Sequence, residues 1–162
     1  MSTIIEAIAG WCAAHPEGTA DARAAARDAI VDTIGCLYAG RTDASTAAVT
    51  AAFAGHAGSG EKSVRWVGAG RTAPAFAALA NGTAAHALDF DDNFSPGMSH
   101  ASAVIVPALL AVADLVHANG RQFLDAYLLA LQAQDFVGSG VRPSHYTAGW
   151  HGTSTVGSIG TA

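Results

Sequence analysis

Charged residues are scarce in this 162-residue chain, at 13% of the total, whereas about a quarter is usual in globular domains. Lys62 is the single lysine, arginines supply the other cations, and the formal net charge is −5. The lack of any basic run argues against a nucleic-acid partner. Apolar residues reach 51%, which excludes a disordered chain because burying them offsets the entropy of ordering. A chain that is this apolar and carries this little charge predicts that much of its surface is covered by a partner subunit or by further sequence.

Long apolar runs and clustered cysteines are missing as well. The longest apolar stretch, Ala103–Val116, is interrupted by Pro107 and Asp114 and falls short of the roughly 18 residues that a membrane span needs. No basic segment precedes the first apolar residues, so a secretory signal is not supported. Cys12 and Cys36 stand alone in apolar helical contexts, which predicts buried free thiols and a cytoplasmic protein.

Apolar residues recur at helical spacing along most of the chain, which predicts an all-α fold of six to seven helices in one domain, 1–162. One short strand-like segment, Ser63–Val67, is expected before a turn at Gly68–Gly70. Polar loops are expected over 89–99 and 138–149. The predicted helices cover residues 4–12, 22–39, 45–56, 73–88, 101–119 and 121–137.

The starts of the fourth and the last predicted helix carry different signals. Thr72 is the predicted N-cap of the fourth helix, with Pro74 in the first turn, where a missing N–H costs nothing. A last helix is predicted to begin near Thr153, and no capping signal follows it before Ala162. We therefore expect the chain to be the N-terminal part of a longer protein.

The densest polar cluster lies between two apolar helices. It suits three roles: acid–base chemistry by histidines beside carboxylates, binding of a divalent cation, or plain capping of helix ends. The spacing matches no known metal-binding motif, so a metal site is not favoured. The residues of this first cluster are Asn81, His86, Asp89, Asp91, Asp92, Asn93 and His100.

A second polar cluster contains Arg142, His145 and His151, and Thr153 and Ser154 follow it. A helix that begins at Thr153 directs backbone N–H groups and hydroxyls toward an anion such as a carboxylate or phosphate. Ordinary helix capping is the alternative. The glycines of the chain do not have the spacing of a dinucleotide-binding fingerprint, so no nucleotide cofactor is predicted.

At these clusters the sequence resembles the MmgE/PrpD family. The family includes 2-methylcitrate dehydratase, cis-aconitate decarboxylase and an iminodisuccinate epimerase. The resemblance implies the first part of a large helical domain, without the family's smaller lid domain. It is carried by ANGTAAHALDFDD at 80–92, HASAVIVPALL at 100–110, GWHGTS at 149–154 with GSIG at 157–160, and AIVDTIGCLYAG at 29–40.

The resemblance also implies roles for single residues. Asp89, His100 and His151 match catalytic positions, and Asn93 matches a polar position in the site. Asn93 stands where the decarboxylase branch has Thr. The resemblance further implies that the chemistry uses no metal, iron–sulfur cluster or nucleotide, and that the full-length form is a homodimer.

The chemistry that the resemblance implies is removal of a proton from carbon next to a carboxylate of a small di- or tricarboxylate. With the roles that the resemblance implies, we expect His100 and His151 to handle the proton, with Asp89 orienting or charging one of them. Asn93, Arg142, Thr153 and Ser154 are the predicted substrate ligands. The remaining cations would come from later sequence, so we expect the 162 residues alone to be inactive. A non-catalytic helical fragment that pairs with a missing half, and an epimerase-like isomerase, are the alternatives.

Overall fold

The computed structural model describes residues 3–14, 17–56, 64–65, 67 and 70–162. Over these residues it contains eight α-helices and one two-stranded antiparallel ladder, which confirms the all-α prediction. The helices are α1 (Ile4–Ala13), α2 (Ala20–Gly40), α3 (Ala44–Ala52), α4 (Pro74–His86), α5 (Ala101–Val116), α6 (Gly120–Val141), α7 (Ser144–Thr147) and α8 (Gly152–Thr161), and the strands are β1 (Val64–Arg65) and β2 (Arg71–Thr72).

Side-chain caps fix where several helices begin. Thr19 accepts a hydrogen bond from Ala22 N at the start of α2. Thr3 with Glu6 and Asn119 with Gln122 form reciprocal capping boxes at α1 and α6. Local polar chemistry therefore sets these boundaries.

Other boundaries differ from the predictions. Thr72 is not a cap, because it lies in β2, and Ala73 precedes α4 without a side-chain hydrogen bond. The predicted loop 138–149 is wrong over most of its length, since α6 continues to Val141 and the short α7 follows. Gly138 explains the longer helix. A Cβ at this position would lie 2.6 Å from Pro96 O, so the missing side chain lets α6 pack on the loop between α4 and α5. In the predicted segment Ser63–Val67, positions 63 and 66 lie outside the described residues, as do 68–69 of the turn.

The central element is α5, which packs against α2, α4, α6 and α8. Its buried side chains, Ile105 and Val106, meet Ile30 of α2 and Tyr127 of α6 in the main core cluster. Small residues let these helices approach closely, because the short side chain of Ala leaves room for the backbone of the neighbouring helix. Each Ala in the core buries little area in return. The first turn of α5 is consequently fixed on several sides.

Some apolar surface stays exposed within the described part of the chain, and Ile4, Ile5 and Phe136 are each at least 70% exposed. None of the described helices is long and apolar enough to cross a bilayer. Both cysteines are free, and Cys36 is buried as predicted. The same prediction is wrong for Cys12, which is only half-buried.

Candidate functional site

Two histidines occupy the residues from which helices start. His100 is the N-cap residue of α5 and His151 is the N-cap residue of α8. The helix starts are tied together, since His100 N donates to Thr153 Oγ1 at 3.0 Å. Both imidazoles line one open cleft of about 730 Å³. The fold thus places side chains 51 positions apart in sequence in a shared cavity.

The cleft wall combines polar and aromatic side chains. Asn93 and Arg142, predicted substrate ligands, both line it. The Arg142 guanidinium also donates from Nη1 to Ser95 O at 3.2 Å, so this cation is anchored to the loop between α4 and α5. The lining residues are Asn93, Phe94, Ser95, Met98, Ser99, His100, Ser139, Arg142, Pro143, Tyr146 and His151.

Behind His100 lies the buried carboxylate of Asp91, whose side chain is 0% exposed. His86, in the last turn of α4, places Nδ1 2.9 Å from Asp91 Oδ2 and 3.1 Å from Oδ1. His100 Nδ1 lies 3.3 Å from the same Oδ2, close enough for an ion pair but without hydrogen-bond alignment. The His86 ring centroid is 4.5 Å from that of His100 and 6.3 Å from that of His151. Two imidazoles, those of His86 and His100, therefore flank one buried acid, and the His151 ring lies beside that of His86.

Asp89 approaches the other ring nitrogen of His100. Its Oδ1 lies 3.7 Å from His100 Nε2, and its side chain is 80% exposed. The backbone of Asp89 has a φ of 57°, in the left-handed region that non-glycine residues seldom adopt. The structure thus brings the predicted pair Asp89 and His100 together at the outer side of the imidazole.

Asp92 holds the start of α5 in place. Its Oδ1 accepts from Ser102 N at 3.0 Å, which satisfies one of the N–H groups that a helix start leaves open. Burial raises the pKa of Asp92 above its ordinary value, although the hydrogen bonds from Ser102 oppose the rise. Ser102 Oγ in turn lies 2.6 Å from the hydroxyl of Tyr127. For Asp92 the capping alternative is therefore the one that the structure supports.

Other polar residues singled out from the sequence have partners elsewhere. Thr153 and Ser154 do not line the cleft: the hydroxyl of Thr153 accepts from His100 N, and that of Ser154 donates to His151 O at 3.0 Å. Asn81 Oδ1 accepts from the backbone N of residue 67 at 2.6 Å, away from the cleft. His145 Nε2 lies 2.7 Å from Thr155 Oγ1, which places this ring beside α8 as a brace.

Four groups of the first cluster lie near enough to hold a cation. His86, Asp89, Asp91 and His100 each offer one ligand atom, and these atoms lie within 4.8 Å of one another. Imidazole and carboxylate suit zinc and other divalent metals. The pairing of Asp91 with His86 already satisfies the buried carboxylate without an ion. Among these four, His86 and Asp91 received no individual role from the sequence, because nothing in the pattern tells which aspartate of the motif turns inward.

Comparison with known proteins places this geometry in a family. The MmgE/PrpD N-terminal domain matches residues 6–162. Human cis-aconitate decarboxylase is 30% identical over 97 residues, which cover 57% of this chain and 20% of the human protein. The mouse protein of the same name is 29% identical over 103 residues, with the same two shares. The chain therefore spans about a fifth of the length of these curated relatives. With the family match over almost all of its length, the chain belongs to the MmgE/PrpD family.

Proposed function

We propose that this chain supplies the proton-handling part of a lyase that acts on a small di- or tricarboxylate. The observation that carries the proposal is the convergence of His100 and His151, each at the start of a helix, on one cleft. The relatives named cis-aconitate decarboxylase support a lyase and a carboxylate substrate. In this role a base removes a proton from carbon beside a carboxylate. Either the hydroxyl then leaves as water after taking a proton from the acid, or carbon dioxide leaves and the acid returns a proton to carbon.

Histidines suit that step because imidazole titrates near neutral pH and can both accept and return a proton. His100 is the better placed base, since carboxylates stand at both of its ring nitrogens, 3.3 Å and 3.7 Å away. His151 is exposed on the cleft and serves as the partner acid. Return of the proton by the second imidazole to the opposite face would give an epimerase instead.

Binding of the substrate carboxylates falls to Arg142 and Asn93 on the cleft wall, and to the N-terminus of α8. A guanidinium holds a carboxylate through paired N–H groups, and a helix start adds positive potential that also steadies negative charge as it develops. Within the described lining, Arg142 is the one arginine or lysine. A di- or tricarboxylate needs more cations than that, so we expect the 162 residues alone to turn over little or no substrate.

The test uses the 162-residue chain and, where its gene continues past codon 162, the full-length product. Solvent deuterium incorporation and product formation are followed with 2-methylcitrate and cis-aconitate. We expect His100→Ala and His151→Ala each to lower turnover by about 10²- to 10⁴-fold, the usual contribution of a general acid or base. Asp28→Asn, on the exposed surface of α2, is the matched control. Normal turnover by His100→Ala in an active protein would end the proposal.

A further inference from the structure

We infer that Asp91 is a positioning residue for His100, and that His86 holds Asp91 in the orientation this requires. The buried carboxylate keeps the proton of His100 on Nδ1, so that Nε2 is left to accept the substrate proton. The catalytic consequence rests on the proposed function, but the arrangement of protons does not.

Burial decides which nitrogen Asp91 controls. The Asp91 side chain is 0% exposed, and a buried carboxylate requires hydrogen-bond donors or a cation. Nδ1 of His100 is itself buried and has no hydrogen-bond partner in the described structure, while Asp91 Oδ2 lies 3.3 Å away. A small rotation of the ring would pair these two groups, and catalytic hydrogen bonds are often long before substrate binds. Because an ionised carboxylate only accepts, the proton of that pair belongs to Nδ1.

The opposite nitrogen has the surroundings of a working base. Nε2 of His100 faces Oδ1 of Asp89 at 3.7 Å, and the Asp89 side chain is 80% exposed. The two aspartates therefore act on different sides of one ring: Asp91 from the interior and Asp89 from the solvent side. A carboxylate that fixes the tautomer of a catalytic histidine in this way is the arrangement of serine-protease triads.

His86 explains why the Asp91 carboxylate points toward His100. Its Nδ1 lies within hydrogen-bond distance of both carboxylate oxygens, at 2.9 Å and 3.1 Å. The ring stands on the last turn of α4, so the loop carboxylate is fastened to a helix of the core. His86 thus holds the Asp91 carboxylate in an orientation in which Oδ2 of Asp91 lies near both imidazoles.

Tautomers can be read directly by ¹⁵N-resolved NMR of the imidazoles in the 162-residue chain, with EDTA present. We expect His100 to carry its proton on Nδ1, and Asp91→Asn to move it to Nε2, because the amide then donates to Nδ1. Asp89→Asn is the matched control, since it removes the carboxylate beside Nε2 and is expected to leave the Nδ1–H form in place. His86→Gln, whose amide can still donate to Asp91, is expected to keep that form too, and it serves as the second variant if Asp91→Asn fails to fold by circular dichroism.

Three results would overturn the inference: an Nε2–H tautomer in the wild type, an unchanged tautomer in folded Asp91→Asn, or one equivalent of metal bound at Nδ1 when EDTA is omitted. Where the protein turns over substrate, Asp91→Asn should lower kcat by about 10²- to 10⁴-fold and leave KM within twofold. A change confined to KM would count against positioning. If His100→Ala keeps its turnover while the tautomer results hold, the proposed function fails and the proton arrangement stands.

Discussion

Replacing Tyr127 with Phe tests how firmly the start of α5 is held. The Tyr127 hydroxyl lies 2.6 Å from Ser102 Oγ, and the two residues are 2% and 0% exposed. Loss of the hydroxyl leaves Ser102 buried without that partner, which costs about 1–3 kcal/mol. We therefore expect the free energy of unfolding to fall by about 2 kcal/mol, and each kcal/mol corresponds to roughly 2–4 °C in Tm at this chain length.

Urea unfolding followed by far-ultraviolet circular dichroism measures this loss. Tyr38→Phe is the matched control, because Tyr38 is 65% exposed and its ring stays under the Arg41 guanidinium in either form. In the double variant with Ser102→Ala neither hydroxyl remains, and the bond that they share is lost only once, so the losses should be less than additive by about 1 kcal/mol. A Tyr127→Phe protein as stable as Tyr38→Phe, or strictly additive losses, would refute the reasoning.

Two further predictions concern the loop that carries the aspartates. A Cβ on Gly152 would lie 2.6 Å from Met98 O and would also meet Gly97 O, so Gly152→Ala should force α8 off the loop and displace both cleft imidazoles. We expect it to lower the free energy of unfolding in urea by about 1–3 kcal/mol. Gly10→Ala is the control, because Gly10 has open space around it, and equal effects of the two substitutions would contradict the prediction. Because burial raises the pKa of Asp92 from its ordinary 3.8, its contribution to stability is complete below pH 3.8 and is lost as pH rises through the raised value. Asp92→Asn should thus raise the urea midpoint at pH 7 and not at pH 3, and an equal difference at both pH values would show that burial is not the cause.

Where local chemistry decides the structure, the sequence predicts it well. Apolar spacing predicts a helix over 22–39, and α2 covers Ala20–Gly40. The helices predicted over 101–119 and 121–137 meet at Asn119, whose side chain caps α6. The continuation of α6 through Gly138 escapes prediction because glycine disfavours a helix on its own. Contact with Pro96 and Gly97, more than forty positions earlier, makes the helical form the better one there.

Prediction of the candidate site depends on the same distinction. The sequence predicts the residue types of the site and one of its two loops, 89–99. The meeting of His100 with His151 is predicted from the resemblance to the family and not from spacing. The inward turn of Asp91 is not legible, because it depends on the left-handed backbone at Asp89, which sends one carboxylate to solvent and the other inside. The roles assigned to Asp89, Asn93 and Arg142 stay predictions until turnover is measured.

The proposed acid–base pair and the cleft wall are built on different kinds of support. His100 and His151 stand where α5 and α8 begin, whereas Asn93 and Met98 belong to a connecting loop. Substitutions of the Asn93 and Met98 side chains can reshape the wall while the loop backbone that packs on α8 stays in place. Related proteins could in this way act on different carboxylic acids while keeping the same two histidines for the proposed proton transfer.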